Sequence, residues 1–492
     1  MNVRELHARA VTRRYFLRQS QAGLGGITLA SLLAGAERHP AGAAEPGPGR
    51  RGSNPLAVRS PQFAPRAKAV IYLHLSGAPP QLDLYDYKPK LVQLHMQDCP
   101  KELLENQRFA FIKGVPKMLG TPHKFYQRGR SGSWFTELLP NLAHHSDDIA
   151  FIKSMFTDQF NHAPAELFLY TGSPRSGGAA MGSWITYGLG SESQDLPGFV
   201  VLISGGTDPT GGKALWSTGF LPGVYQGVQC RTTGEPILYV NNPKGLDREA
   251  RRHSLDALRK LNELELEQFG DPETLTRIEQ YELAFRMQMS VPDAMDIAKE
   301  PAAIREAYGA QPGAASFANN CLLARRLIER GVRYVQLYDW GWDMHGTAPD
   351  NDLVTGLPRK CRDIDGPISA LLGDLKARGL FEDTLVICGG EFGRTPMNEA
   401  RGGSKYLGRD HHPHCFTIWL AGGGIKGGVT HGATDELGYF ITEGKTTIHD
   451  LQATILHLLG LDPWKHAHRF QGLDQRLIGP TGEAVVRKEI LS

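Results

Sequence analysis

Apolar residues recur along this chain in two rhythms, and the rhythms alternate. Ala69-Val70-Ile71-Tyr72-Leu73-His74-Leu75 is a nearly unbroken apolar run, which predicts a strand buried on both faces. Ile149-Ala150-Phe151-Ile152, Val332-Arg333-Tyr334-Val335-Gln336-Leu337-Tyr338 and Leu385-Val386-Ile387-Cys388 repeat the pattern. Between them the spacing turns helical. Glu137 to Ala143 opens one helix, residues 251–289 form a heavily charged helical pair with mixed signs, and residues 320–330 form an amphipathic helix stopped by Gly331. Ile364, Ile368, Leu371, Leu372 and Leu375 fall on one face of a further helix, which Gly379 ends. A last helix begins at His449-Asp450, with Asp450 as N-cap and Leu451, Ile455, Leu458 and Leu459 as its core face. Strands alternating with helices predict an α/β fold around a mostly parallel sheet.

Polar residues gather where the strands end. The 385–388 run leads into Gly389-Gly390-Glu391, then Gly393 and Arg394, and later Asp410, His411, His412 and His414. The 332–338 run leads into Asp339, Asp343 and His345, and the first strand into Asp83 and Asp86. Ligands of open α/β sheets sit at the carboxyl ends of strands, and mixed carboxylates and imidazoles there are the donor set of a metal site. Asp343 and His345, at i and i+2, point to one side if the chain is extended. One histidine of the 411–414 cluster is expected to support a ligand rather than bind.

Length and charge narrow this little. The 492 residues suffice for one large α/β domain or two ordinary ones, and a net charge of +2 with no basic stripe argues against a nucleic-acid binder. The amino end is more telling. Thr12-Arg13-Arg14-Tyr15-Phe16-Leu17-Arg18, a mild apolar stretch from Gly23 to Ala36 and Ala41-Gly42-Ala43 form the pattern of a twin-arginine leader. We expect a signal peptide over 1–43, a disordered Pro/Gly/Arg-rich linker over 44–66 and one domain over 67–480, with a loop-rich and helical insertion about 182–310. Export by the twin-arginine translocase to the periplasm or beyond is expected, with no stable membrane span after cleavage. The six cysteines show no metal-type spacing and read as core thiols. In the 182–245 stretch, Trp216, Phe220 and Tyr225 are either stacking platforms for a substrate or hydrophobic plugs.

The helix-to-strand run ending in GGEFGRTP, joined to GRDHHPH, resembles the DUF1501 family of secreted bacterial proteins within the alkaline phosphatase/sulfatase-like superfamily. The resemblance implies a three-layer sandwich with a central mostly parallel sheet and a helical or loop cap insertion. Around the first strand the family form GGxSxLDxFDPKP keeps Asp83 and Asp86 here, while Ala78 and Pro80 depart from it. The GWDxH form is present as residues 341–345. Against the sulfatase nucleophile motif C-x-P-S-R-x-x-x-x-T-G, Pro164, Thr171 and Gly172 coincide, His162 takes the nucleophile position, and Ala165 and Glu166 replace serine and arginine. A formylglycine nucleophile cannot be made from His162, which leaves it as metal ligand, general base, direct nucleophile or structural histidine. Phe392 stands where a sulfatase has a metal-binding histidine.

The expected activity is therefore hydrolysis of sulfate or phosphate esters, on a small-molecule or glycan substrate, by a metal-dependent secreted enzyme. Asp83, Asp343, His345, Glu391, Asp410, His411 and His412 are the candidate metal residues and His162 and Arg394 the candidate catalytic ones. Arg394 either clamps the anionic group or pairs with Glu391. The donor set favours zinc or manganese, as one or two ions. The rival expectation is a secreted binding protein for metal or glycan that kept the fold and lost its nucleophile. An oxidoreductase is disfavoured, since no glycine fingerprint follows the first strand.

Overall fold

The computed structural model describes residues 55–492, apart from 106, 108, 238–241, 243, 244 and 270–272. The leader over 1–43 lies outside the described residues. The central sheet contains β1 (Ala69–Ser76), β2 (Ile149–Phe156), β3 (Phe199–Ser204), β4 (Val228–Gln229), β5 (Tyr334–Trp340), β6 (Thr384–Gly389), β7 (Phe416–Ala421), β8 (Thr430–His431) and β9 (Thr446–Thr447). Its order is β8-β2-β7-β6-β1-β5-β3-β4, with β9 also paired to β2. Only β7 runs antiparallel to its neighbours, β2 and β6. Every residue of β1 and β6 is buried, so layers cover both faces of the sheet, as parallel strands require. The carboxyl ends of β1, β5 and β6 lie side by side, because β5 and β6 both pair with β1 in parallel.

The apolar runs form the strands they predict; three are extended by one to four residues, and the 332–338 run is shifted, its strand spanning Tyr334–Trp340. The long helix spans Gly356–Ala377 with Ile364, Ile368, Leu371, Leu372 and Leu375 buried, and Gly379 follows at φ +67°. The charged segment is two packed helices, Arg248–Phe269 and Glu273–Met295, tied by Arg252 to Glu282 at 2.7 Å. Four expectations fail in detail. Residues 137–143 make no α-helix, only a short 3₁₀ turn, Leu142–His145, since Pro140 interrupts them. Phe199–Ser204, inside the expected loop-rich and helical insertion, is a strand of the central sheet beside β5. Thr447, not Asp450, caps the last helix, Ile448–Leu458; Asp450 is the third residue of the capping box and accepts from the Thr447 amide at 2.9 Å. From residue 55 on, the expected linker is bound to the body, Arg59 N donating to Leu189 O at 2.9 Å and Arg66 N to Leu458 O at 2.8 Å.

Trp216 and Tyr225 are buried in the core and Phe220 packs against it, so they are plugs rather than platforms. All six cysteines are buried and free. No helix among the described residues is long and apolar enough to cross a membrane.

Candidate metal centre

Four side chains meet beyond the strand ends. His162 opens the helix His162–Thr171 that follows β2, and Asp343 and His345 follow β5. His411 comes from a two-residue ribbon, His411–His412 paired antiparallel with Gly393–Arg394 beyond β6. Successive residues of such a ribbon face opposite sides. His411 therefore turns to the site, while His412 turns away, donates Nε2–H to Tyr439 O at 2.7 Å and stacks on the Tyr439 ring at 4.7 Å. Asp343 and His345 do share a side, by a route other than an extended chain: Met344 N bonds Trp342 O at 2.9 Å and His345 N bonds Asp343 O at 3.0 Å, folding two tight turns. Two glycines allow the crowding. A Cβ on Gly77 (φ +107°) would lie 2.7 Å from Asp343 N, and one on Gly408 would lie 2.0 Å from the His345 carbonyl carbon.

The ligand atoms are aimed. Asp343 Oδ1 lies 2.9 Å from His345 Nε2, 3.4 Å from His162 Nε2 and 3.5 Å from His411 Nε2. His345 Nε2 and His411 Nε2 are 3.2 Å apart. In each imidazole the other nitrogen faces an acceptor: His162 Nδ1 meets Glu391 Oε1 at 2.5 Å, His411 Nδ1 meets Phe160 O at 2.7 Å, and His345 Nδ1 contacts Glu399 Oε2. Those partners put the proton on Nδ1 and leave the lone pair on Nε2, turned inward. Arg401 lies against Glu399 and 3.1 Å from His345 Nδ1; the closer carboxylate decides the tautomer. Spacings near 3.3 Å are those of atoms bonded at about 2.0–2.1 Å to one tetrahedral ion. The four residues therefore fit a metal ion.

Electrostatics follow from the crowding. Burial alone would raise the Asp343 carboxyl, but Arg394 and the three imidazoles reverse this and hold it well below the carboxylate range. Burial disfavours a charged His162, yet Asp343 and Glu391 outweigh burial and raise its pKa to about 9. His411 is pulled down to about 4, by burial and by the nearby Arg394 and His162. Binding a divalent ion would displace the His162 proton.

The remaining expected residues are placed elsewhere or otherwise employed. Asp83 is fully buried against Arg409, which reaches it with Nε at 2.7 Å and Nη2 at 3.1 Å, so both its oxygens are taken by a guanidinium fork. Asp410 accepts backbone N–H from Phe111 (2.7 Å), Ile112 (3.0 Å) and His411 (2.8 Å), and with His345 and Glu399 it also forms a buried group whose ligand atoms lie close enough together to hold an ion. Asp86 binds Thr434 Oγ1 at 2.6 Å, and Asp339 is held by Lys360, Ser204 and Trp342. Arg394 is fully buried, donating to Ala78 O (2.9 Å), Gly77 O (2.5 Å), Arg409 O (3.1 Å) and Asp343. Neither clamp nor partner of Glu391, it fixes Asp343. Glu391 adjoins His162 through one oxygen and turns the other, Oε2, to His74 at 3.3 Å.

Sequence reasoning missed His74, Glu166 and Glu399. His74 sat in an apolar run and Glu166 in a motif mismatch. Glu399 carries no local signal, lying in a loop whose fold depends on the ribbon.

A family model described as "Protein of unknown function (DUF1501)" matches residues 67–490. No curated protein matches the chain. Among solved structures, the lipoteichoic acid synthase LtaP from Listeria monocytogenes is 12% identical, with 86% of this chain and 78% of that one covered and a TM-score of 0.36. The PsFucS1 sulfatase from Pseudoalteromonas sp. is 13% identical, with 87% and 76% covered and a TM-score of 0.36. Alkaline phosphatase from the Antarctic bacterium TAB5 is 12% identical, with 81% and 99% covered and a TM-score of 0.29.

Proposed function

The chain belongs to the DUF1501 family, and from that premise we propose that it is an exported, metal-dependent hydrolase of phosphate or sulfate esters. One observation carries the reading: the Nε2 atoms of His162, His345 and His411 converge on Asp343 Oδ1, while each Nδ1 is held from outside. Three imidazoles and one carboxylate suit zinc or manganese better than magnesium or calcium. The chemistry such an ion supplies is polarisation of an ester oxygen and activation of a water at neutral pH.

The chain's own residues do the positioning. Glu391, Glu399 and the Phe160 carbonyl fix the tautomers, and Arg394 holds Asp343 ionised. Phe392 stacks on His162 at 5.0 Å, and Phe111 packs edge-on against His345 at 5.2 Å, lowering the local dielectric and excluding water from that side. His162 and Asp343 are the partly exposed members of the four, so a substrate arrives over them. Delivery by the twin-arginine translocase, folded and already loaded, is part of the proposal and rests on the leader.

Metal analysis of protein purified without chelator tests the reading, together with turnover of p-nitrophenyl phosphate and p-nitrophenyl sulfate. We expect stoichiometric zinc or manganese, and loss of both ion and turnover in His411→Gln and Asp343→Asn. Protein devoid of metal would overturn the proposal. Protein that holds metal and cleaves neither ester is instead the binding protein that the replaced nucleophile position also allows.

A further inference from the structure

We infer that His74, Glu166 and Glu391 form a second cation site beside the first, closed to solvent, with Glu391 joining the two. The inference rests on the metal-dependent reading above and extends it from one ion to two.

His74 lies near the carboxyl end of β1, a strand buried along its whole length, and is itself fully buried. A histidine there is costly unless its ring nitrogens are satisfied, and neither is hydrogen-bonded. Edge-on contacts with Tyr170 (5.4 Å) and Tyr338 (5.3 Å) orient the ring. Its Nε2 points at two carboxylate oxygens, Glu391 Oε2 at 3.3 Å and Glu166 Oε1 at 3.6 Å. Both distances exceed an ordinary N–H···O bond. Both oxygens are themselves buried and without a hydrogen bond.

The outer oxygens of the same carboxylates are, by contrast, well held. Glu166 Oε2 accepts from Thr210 Oγ1 at 2.8 Å and Gly211 N at 2.6 Å. Glu391 Oε1 accepts from Gly77 N at 3.1 Å and His162 Nδ1 at 2.5 Å. Each carboxylate is thus tied by one oxygen and presents the other, bare, to one point. Three bare atoms of suitable chemistry, spaced as ligands of one ion are spaced, fit a divalent cation. Two buried carboxylates around one imidazole also leave negative charge that such an ion would balance. The competing occupant is a proton on His74, with no ion.

Metal content decides between them. After loading with zinc alone and desalting, the wild type is expected to hold about two equivalents, and Glu166→Gln and His74→Asn about one. His411→Gln should likewise lose one, the other. An anomalous difference map at the zinc edge from the wild type should show a peak about 2.0–2.2 Å from His74 Nε2, which decides the matter if either variant misfolds. A wild type with one equivalent, lost in His411→Gln and kept in Glu166→Gln, overturns the second site and leaves the first intact. A wild type with no zinc overturns both. Full content in folded Glu166→Gln and His74→Asn, or no peak beside His74, also overturns it.

Discussion

The Nε2 atoms of His345 and His411 stand 3.2 Å apart, each with its Nδ1 engaged by a separate acceptor. Two inward lone pairs at that distance repel unless a cation lies between them. Folding therefore assembles a site that an ion would stabilise, and by linkage an ion bound there would stabilise the fold. Removing metal by chelator should lower the melting temperature, and adding zinc or manganese should restore it. At an ion concentration about 100-fold above its Kd the stabilisation is about 2.7 kcal/mol. In His411→Gln the shift on chelation should shrink, as read by calorimetry with and without chelator.

Glu399 touches no proposed ligand atom, only the outer nitrogen of His345 and the guanidinium of Arg401. Partners of this kind hold an imidazole's tautomer and angle, and losing one typically weakens metal binding about 10–100-fold. Glu399→Gln should weaken zinc affinity by that order in a competition titration with a chromogenic chelator. The chelated variant should keep the far-ultraviolet circular dichroism of the chelated wild type. An unchanged affinity would mean that Glu399 serves only Arg401.

Local patterns carried the scaffold but only part of the site. The buried runs of β1 and β6 and the apolar face of the 356–377 helix are visible because strand and helix periodicity are local properties. Asp343, His345 and His411 were legible as candidates because they follow strands. Which member of the 411–412 pair turns inward was not, since that depends on register with Gly393 and Arg394. Asp83 was misjudged for a related reason. Its partner, Arg409, is remote in sequence, and nothing beside Asp83 announces an ion pair. His74 stayed hidden because a single histidine in an apolar run reads as strand filler until Glu166 and Glu391 are brought to it.

The Asp83–Arg409 pair is fully buried and bidentate, so neutralising one member leaves the other charge uncompensated. Breaking such a pair from one side costs about 3–5 kcal/mol. Asp83→Asn should be destabilised by that amount in urea unfolding. The folded fraction should retain the wild-type metal content, since Asp83 lends no atom to the cluster. Loss of metal from well-folded Asp83→Asn would reinstate it as a ligand.

His412 provides a pH test separate from the ligands. Burial, only partly offset by the bond to Tyr439 O, lowers its pKa to about 3. The unfolded chain has an ordinary imidazole, which takes up a proton below about pH 6.5. Between those values the unfolded state binds the extra proton, so this residue makes stability fall as pH drops through the window and contributes nothing above it. The slope from this one group is about 1.4 kcal/mol per pH unit. Other histidines and carboxylates add their own slopes, so the informative quantity is a difference. Urea unfolding of wild type and His412→Gln, both kept in chelator, should show the variant less stable at pH 7 through loss of packing on Tyr439. The gap should narrow steadily from pH 6 to pH 4. Parallel curves across that range would show that His412 titrates normally in the folded protein.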